Sequence, residues 1–156
     1  FAEKNKHLDV EAVAAPALGG IILAQGTAYA LSKIFNKEVL AVFTEKTAEA
    51  DQVFTRGYDK YVKNKNVLVL EDLTTTGGSV KKVIESVKKA GGNVVGVSVM
   101  INKDPKNVNT ATFGTPFNSL GEMEIATYDE KNCPLCKNNI PINIQFGHGK
   151  SFSRKK

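Results

Sequence analysis

Apolar positions in this chain come in two arrangements, short unbroken runs and longer stretches at helical spacing, and the two alternate along the sequence. Residues 10–15 form a brief apolar run that stops at Pro16. Gly19 and Gly20 then open a stretch, 21–35, whose small and apolar residues suit a buried helix. Residues 39–43 read as a second strand, apolar on both faces as in a parallel sheet. Residues 44–66 are polar and charged around Arg56 and Gly57, and predict a long loop or a protruding hairpin. The plainest strand is Val67, Leu68, Val69 and Leu70. A helix is expected over 80–90, because Val80, Val83, Ile84 and Val87 follow the i, i+3, i+4, i+7 pattern. Gly91 and Gly92 stop it, with Lys88 and Lys89 in the last turn, where cations suit the helix dipole. Residues 94–101 form another buried strand. Beyond Asn102 the pattern weakens into a Lys/Asn/Pro loop, a short strand near 122–127 and a Pro-punctuated tail.

Repeated β-α-β units imply an α/β fold, a parallel sheet with helices on both faces. The length of 156 residues fits a single domain, with a core over about 8–128 and a tail over 129–156. No apolar run approaches the roughly 18 residues of a membrane span. The charged start, residues 1–6, does not read as a signal peptide. The first residue is Phe rather than Met, which reads as a fragment or a processed product.

The formal charge of +5 is modest. Its lysines lie along the helix after Ser79 and in the basic tail, a solvated face rather than a nucleic-acid surface, and one that also draws a phosphate-rich small substrate. Cys133 and Cys136 are the only cysteines, too few for a disulfide framework, so a reducing cytoplasm is expected. A structural Zn²⁺ wants four ligands, and His7 and His148 are the only histidines. The cysteines therefore read as small apolar residues of a structured tail, and His148 as a solvated loop residue.

The chemistry concentrates in residues 71–79: Glu71, Asp72, Leu73, Thr74, Thr75, Thr76, Gly77, Gly78 and Ser79. Ligands of open parallel sheets bind at the carboxyl ends of strands, where this segment falls. Two carboxylates can accept hydrogen bonds from sugar hydroxyls or meet a metal ion. The glycines let backbone approach a ligand closely, and free amides at a helix start favour phosphate. Hydroxyls of Thr75, Thr76 and Ser79 can add hydrogen bonds. Acids for a ribose beside amides for a phosphate describe a site for a phosphorylated sugar. Neither a Gly-x-x-x-x-Gly-Lys-Ser/Thr loop nor a Gly-x-Gly-x-x-Gly after a strand is present.

This segment resembles the phosphoribosyl pyrophosphate motif of the type I phosphoribosyltransferase family. Residues 16–20 (Pro, Ala, Leu, Gly, Gly), 43–46 (Phe, Thr, Glu, Lys), 56–58 (Arg, Gly, Tyr), the Cys-Pro-Leu-Cys run at 133–136, and Ile140 with Pro141 look like the orotate-specific branch. The resemblance implies a Rossmann-like core with the family's N-terminal hood largely missing. It implies Mg²⁺-dependent transfer of a phosphoribosyl group from phosphoribosyl pyrophosphate to a nucleobase, most simply orotate, by a homodimer. Asp72 with Glu71 would hold the ribose hydroxyls, Thr74 to Ser79 would wrap the 5-phosphate, and Ala17, Leu18, Gly19 and Gly20 would meet the pyrophosphate. Lys46 would be the basic residue of a mobile catalytic loop reaching into the partner's site. Arg56 reads either as a further anion contact or as a loop residue. Asn102 and Lys103 stand where the orotate enzymes carry an Asp-Arg pair facing the base, which leaves another base, or a regulator that binds the sugar phosphate without turnover, as alternatives.

Overall fold

A computed structural model describes residues 1–126, 128–129, 131–145 and 149–150. Residues 1–124 and 125–156 form two compact units. In the first, β1 (Ala12–Pro16), β2 (Leu40–Lys46), β3 (Gln52–Val53), β4 (Asn66–Thr74), β5 (Asn93–Asn102) and β6 (Phe117–Glu122) make one six-stranded sheet. Its order is β3-β2-β1-β4-β5-β6, parallel throughout except for the short antiparallel β3. Helix α1 (Ala2–Asn5) precedes the sheet, α2 (Gly19–Phe35) links β1 to β2, α3 (Gly78–Lys89) links β4 to β5, and α4 (Thr110–Phe113) precedes β6.

The strands carry apolar residues at consecutive positions because both faces are covered. Side chains alternate between faces, and the two cores separate accordingly. Ala12, Ala14, Val67, Val69, Val97 and Val99 pack with Val80, Val83, Ile84 and Val87 of α3. Val13, Ala15, Leu68 and Leu70 pack with Ala24, Ala28 and Leu31 of α2. Burying each of these larger side chains stabilises the fold by roughly 1.5–3 kcal/mol. The predicted parallel sheet with helices on both faces is the observed one.

The two crossover helices lie on opposite faces because the chain runs outward from the centre in both directions, β1 to β2 and β4 to β5. The order reverses between β1 and β4, the place where open sheets of this kind bind ligands. Pairing leaves room there. β1 pairs with β4 only at Val67, Leu68 and Val69, whereas β4 continues along β5 as far as Thr74 opposite Asn102.

Two elements differ from the sequence expectation, β4 and the late strand, and the segment between β2 and β4 takes one of the two forms expected of it. β4 runs past Leu70 through Thr74, since β5 supplies backbone partners for Glu71, Leu73 and Thr74. The polar segment 44–66 is a hairpin, with Lys46 opposite Gln52, followed by a 3-10 turn at Tyr58–Tyr61. The late strand lies at Phe117–Glu122, earlier than expected, in register with β5; Thr127 lies outside the described residues. Within the second unit a short helix, α5 (Pro134–Lys137), follows Cys133. His148 lies outside the described residues, and among those described no helix is long and apolar enough to cross a membrane.

Candidate active site

The gap beyond the β1–β4 pairing is a cavity of about 530 Å³. One wall is the turn after β1, with Ala17, Leu18 and Gly19; the other is Glu71 and Asp72 of β4 with Gly78 and Ser79 at the start of α3. Lys46, Gln52 and Lys82 complete it. Strand alternation explains the meeting of Lys46 and Glu71: Val42, Thr44 and Lys46 share a face, as do Val67, Val69 and Glu71, and Val42, Val67 and Val69 all belong to the α3-side core.

The turn after β1 is held at close quarters. Ala17 N donates to Thr44 O at 2.8 Å, and the Ala17–Leu18 peptide is cis. A Cβ at Gly19 would come within 2.4 Å of Asp72 Oδ2, so glycine lets the turn lie against the carboxylate. Gly20 has a different reason. A Cβ there would meet Ala15 Cβ at 2.6 Å and Pro16 Cδ at 3.1 Å, so this glycine seats the first turn of α2 on β1 rather than facing the cavity.

Glu71 and Asp72 project to opposite faces of β4 and differ in environment. Glu71 is buried and Asp72 half-buried. Burial pushes the Glu71 carboxyl up to about 7 from an ordinary 4.5; a hydrogen bond from Ser79 opposes the rise, and Asp72 beside it adds to it. Asp72 Oδ1 accepts from Leu73 N at 2.6 Å.

The Thr/Gly loop divides by role. Thr74 is buried, and its hydroxyl accepts from Gly77 N at 3.1 Å, so it shapes the loop from within. Gly77 has φ 77°, in the left-handed region, and caps α3 with no side chain donating or accepting at the cap. The first amides of α3 thus face outward beside Ser79, a ready anion site. Thr75 is half-buried and Thr76 exposed, and neither lines the cavity.

Lys46 is the last residue of β2, exposed, and lines the cavity of its own chain. It sits on a hairpin that α3 holds down: Lys82 Nζ donates to Ala50 O at 2.5 Å, and the Ser86 hydroxyl donates to Gln52 O. Arg56 is not in the cavity lining; its guanidinium reaches Glu45 Oε1 at 3.4 Å. Lys103 is also outside the lining, with its backbone N–H donating to Thr74 O at 2.8 Å. Asn102 is buried, donating to Val108 O and accepting from Asp104 N, and so organises the loop after β5. Lys82 and Gln52 were not singled out from the sequence. Lys82 lies one turn after Ser79, a spacing that signals its nearness, whereas Gln52 enters only through hairpin pairing.

Residues 2–113 match the family model described as phosphoribosyl transferase domain. The chain is 40% identical over 142 residues to the orotate phosphoribosyltransferase of Caldanaerobacter subterraneus subsp. tengcongensis, covering 91% of this chain and 69% of that one. A solved phosphoribosyltransferase from Corynebacterium diphtheriae superposes with a TM-score of 0.59 at 30% identity, over 78% of this chain and 73% of that one. The Mycobacterium tuberculosis H37Rv orotate phosphoribosyltransferase, solved in complex with 5-phospho-alpha-D-ribosyl 1-diphosphate, superposes with a TM-score of 0.56 at 25% identity, over 78% of this chain and 68% of that one.

Proposed function

This chain belongs to the phosphoribosyltransferase family, and from that premise we propose that it transfers a phosphoribosyl group from phosphoribosyl pyrophosphate to orotate, forming orotidine 5-monophosphate and pyrophosphate. The observation that carries this reading is the cavity at the β1–β4 switch point, where a tight turn, an acidic pair and the amide end of α3 converge. Their order suits the substrate: Ala17, Leu18 and Gly19 for the pyrophosphate, Asp72 and Glu71 for the ribose hydroxyls, Gly78 and Ser79 for the 5-phosphate, and Thr74, Thr75, Thr76 and Gly77 as the loop that shapes this end.

The bond to pyrophosphate at C1 breaks as a ring nitrogen of the base attacks, so positioning and charge stabilisation carry the catalysis. Lys46 supplies positive charge from its own chain, and Lys82 adds a second cation. Glu71 and Asp72 beside substrate phosphates would be a donor set that suits Mg²⁺. Mg²⁺ on the substrate's oxygens would neutralise the departing pyrophosphate. Lys103, whose backbone N–H donates to Thr74 O, is the candidate for the base's negative charge, and Arg56 serves the hairpin through Glu45.

A homodimer belongs to the same reading. Ile22 and Tyr29 of α2 are 81% and 63% exposed, and seven residues apart they share one face of the helix. The same reading expects a reducing cytoplasm, since two cysteines are too few for a disulfide framework.

The test is direct. Purified protein with Mg²⁺ and phosphoribosyl pyrophosphate is expected to consume orotate, followed by its ultraviolet absorbance. Turnover of a purine but not orotate rejects the base, and binding of the sugar phosphate without turnover of any base rejects catalysis.

A further inference from the structure

The unit formed by residues 125–156 carries chemistry that phosphoribosyl transfer does not use. It holds both cysteines of the chain, in the run Cys133, Pro134, Leu135, Cys136. Cys133 caps α5 with extended backbone (φ −71°, ψ 116°), and Pro134 opens the helix. Proline suits that position because its fixed φ is helical and its missing N–H has no partner to lose. The single turn brings the fourth residue back over the first, so Cys133 Sγ accepts from Cys136 N at 3.4 Å. The thiol of Cys133 is held below the ordinary thiol range, first by that N–H and then by a hydrogen bond with the Cys136 thiol. Both residues are half-exposed. Beside them lies a largely apolar cavity of about 480 Å³, lined by Tyr128, Leu135, Ile140, Pro141 and the two cysteines.

We propose that Cys133 and Cys136 form a dithiol site that exchanges with low-molecular-weight disulfides, with Cys133 attacking, Cys136 resolving and the adjacent cavity seating an apolar arm of the incoming disulfide. The Cys133 thiolate attacks one sulfur of the disulfide, whose S–S bond breaks, and the released thiolate takes a proton from solvent. Cys136 then loses its proton and attacks Cys133 Sγ, expelling the second thiol. The protein dithiol is oxidised by two electrons to a disulfide while the incoming disulfide is reduced to two thiols. A stabilised thiolate, a neighbouring thiol and an apolar recess each serve one part of this sequence.

The test uses the full reduced chain with dithiodipyridine, whose leaving group is coloured, and with glutathione disulfide for comparison. The parent protein is expected to release two leaving groups per chain, retain no adduct, and yield a Cys133–Cys136 disulfide by mass spectrometry. Cys136→Ser is expected to keep an adduct on Cys133, formed several-fold faster than the adduct on Cys136 in Cys133→Ser. Relative to free cysteine, dithiodipyridine is expected to outpace glutathione disulfide by a wider margin at this site. A parent chain that keeps its adduct, disulfide-linked chains, or single variants that react at equal rates overturn the proposal. Because serine also caps helices, Cys133→Ser keeps the local fold for this comparison.

Discussion

Glu71 sits where water barely reaches it, and that burial gives one carboxylate of an adjacent pair its distinct titration. Its folded value, about 7, lies above the ordinary 4.5, so folding favours the protonated form. The stabilising contribution is therefore full below about pH 4.5 and is lost as pH rises through about 7. Glu71→Gln, with no charge to bury, is expected to lose roughly 2 kcal/mol less stability than the parent between about pH 5 and about pH 8, measured by denaturant unfolding. The same group shapes activity in the opposite sense, since only the ionised form accepts two ribose hydroxyls. The kcat/KM for phosphoribosyl pyrophosphate is expected to rise through an apparent pKa near 7 and to lose that limb in Glu71→Gln. Asp72→Asn, which removes a charged acceptor, is expected to lower kcat/KM by about 10- to 100-fold with unfolding unchanged. At this scale the acidic pair was legible as chemistry. Which member is buried was not, because Ser79 and the α3 side cover Glu71 from elsewhere in the chain.

At the scale of elements, the loop between β4 and α3 depends on one backbone conformation. Gly77 combines φ 77° with a site where a Cβ would meet the Phe113 ring at 2.9 Å. Gly77→Ala is expected to cost about 1–3 kcal/mol in unfolding experiments and to raise the KM for phosphoribosyl pyrophosphate. The hairpin bearing Lys46 has its own anchor in Lys82, which holds Ala50 O and stands 3.7 Å from Asp51 Oδ1. Lys82→Met, which keeps the stem and removes the donor, is expected to lower kcat through loss of a cavity cation and a looser Lys46, with a change in stability under about 1 kcal/mol. Sequence periodicity predicted α2, α3 and the central strands. It gave no hint that α1 forms, because that turn is held by distant partners: Asn5 donates to Ser98 Oγ and accepts from Asn118 Nδ2, and Ala2 is buried in the α2-side core.

For the whole molecule, the exposed stripe on α2 predicts self-association. Ile22→Asp is expected to convert a dimer to a monomer in sedimentation experiments, since a charge there would be desolvated by a second copy. Lys46 lining its own cavity makes a further prediction at this scale. Mixed dimers of Lys46→Ala and Asp72→Asn subunits are expected to show no recovery of activity, because each site lacks one residue. Recovery to a sizeable fraction of the parent rate would assign Lys46 to the neighbouring subunit's site.

What the sequence determined by itself was local: the alternation of apolar runs and helical spacing, and a strand-to-helix segment whose acids, glycines and hydroxyls name a sugar phosphate. Those signals need only neighbours in the chain, so they survive without the fold. Tertiary structure decided what depends on distant partners. It extended β4 because β5 supplied hydrogen-bond partners, gave Gly19 and Gly20 different reasons through Asp72 and Ala15, withdrew Thr74 into the loop's interior, and brought Lys82 and Gln52 to the cavity. It also set the reversal of strand order between β1 and β4, which opens the cavity at all.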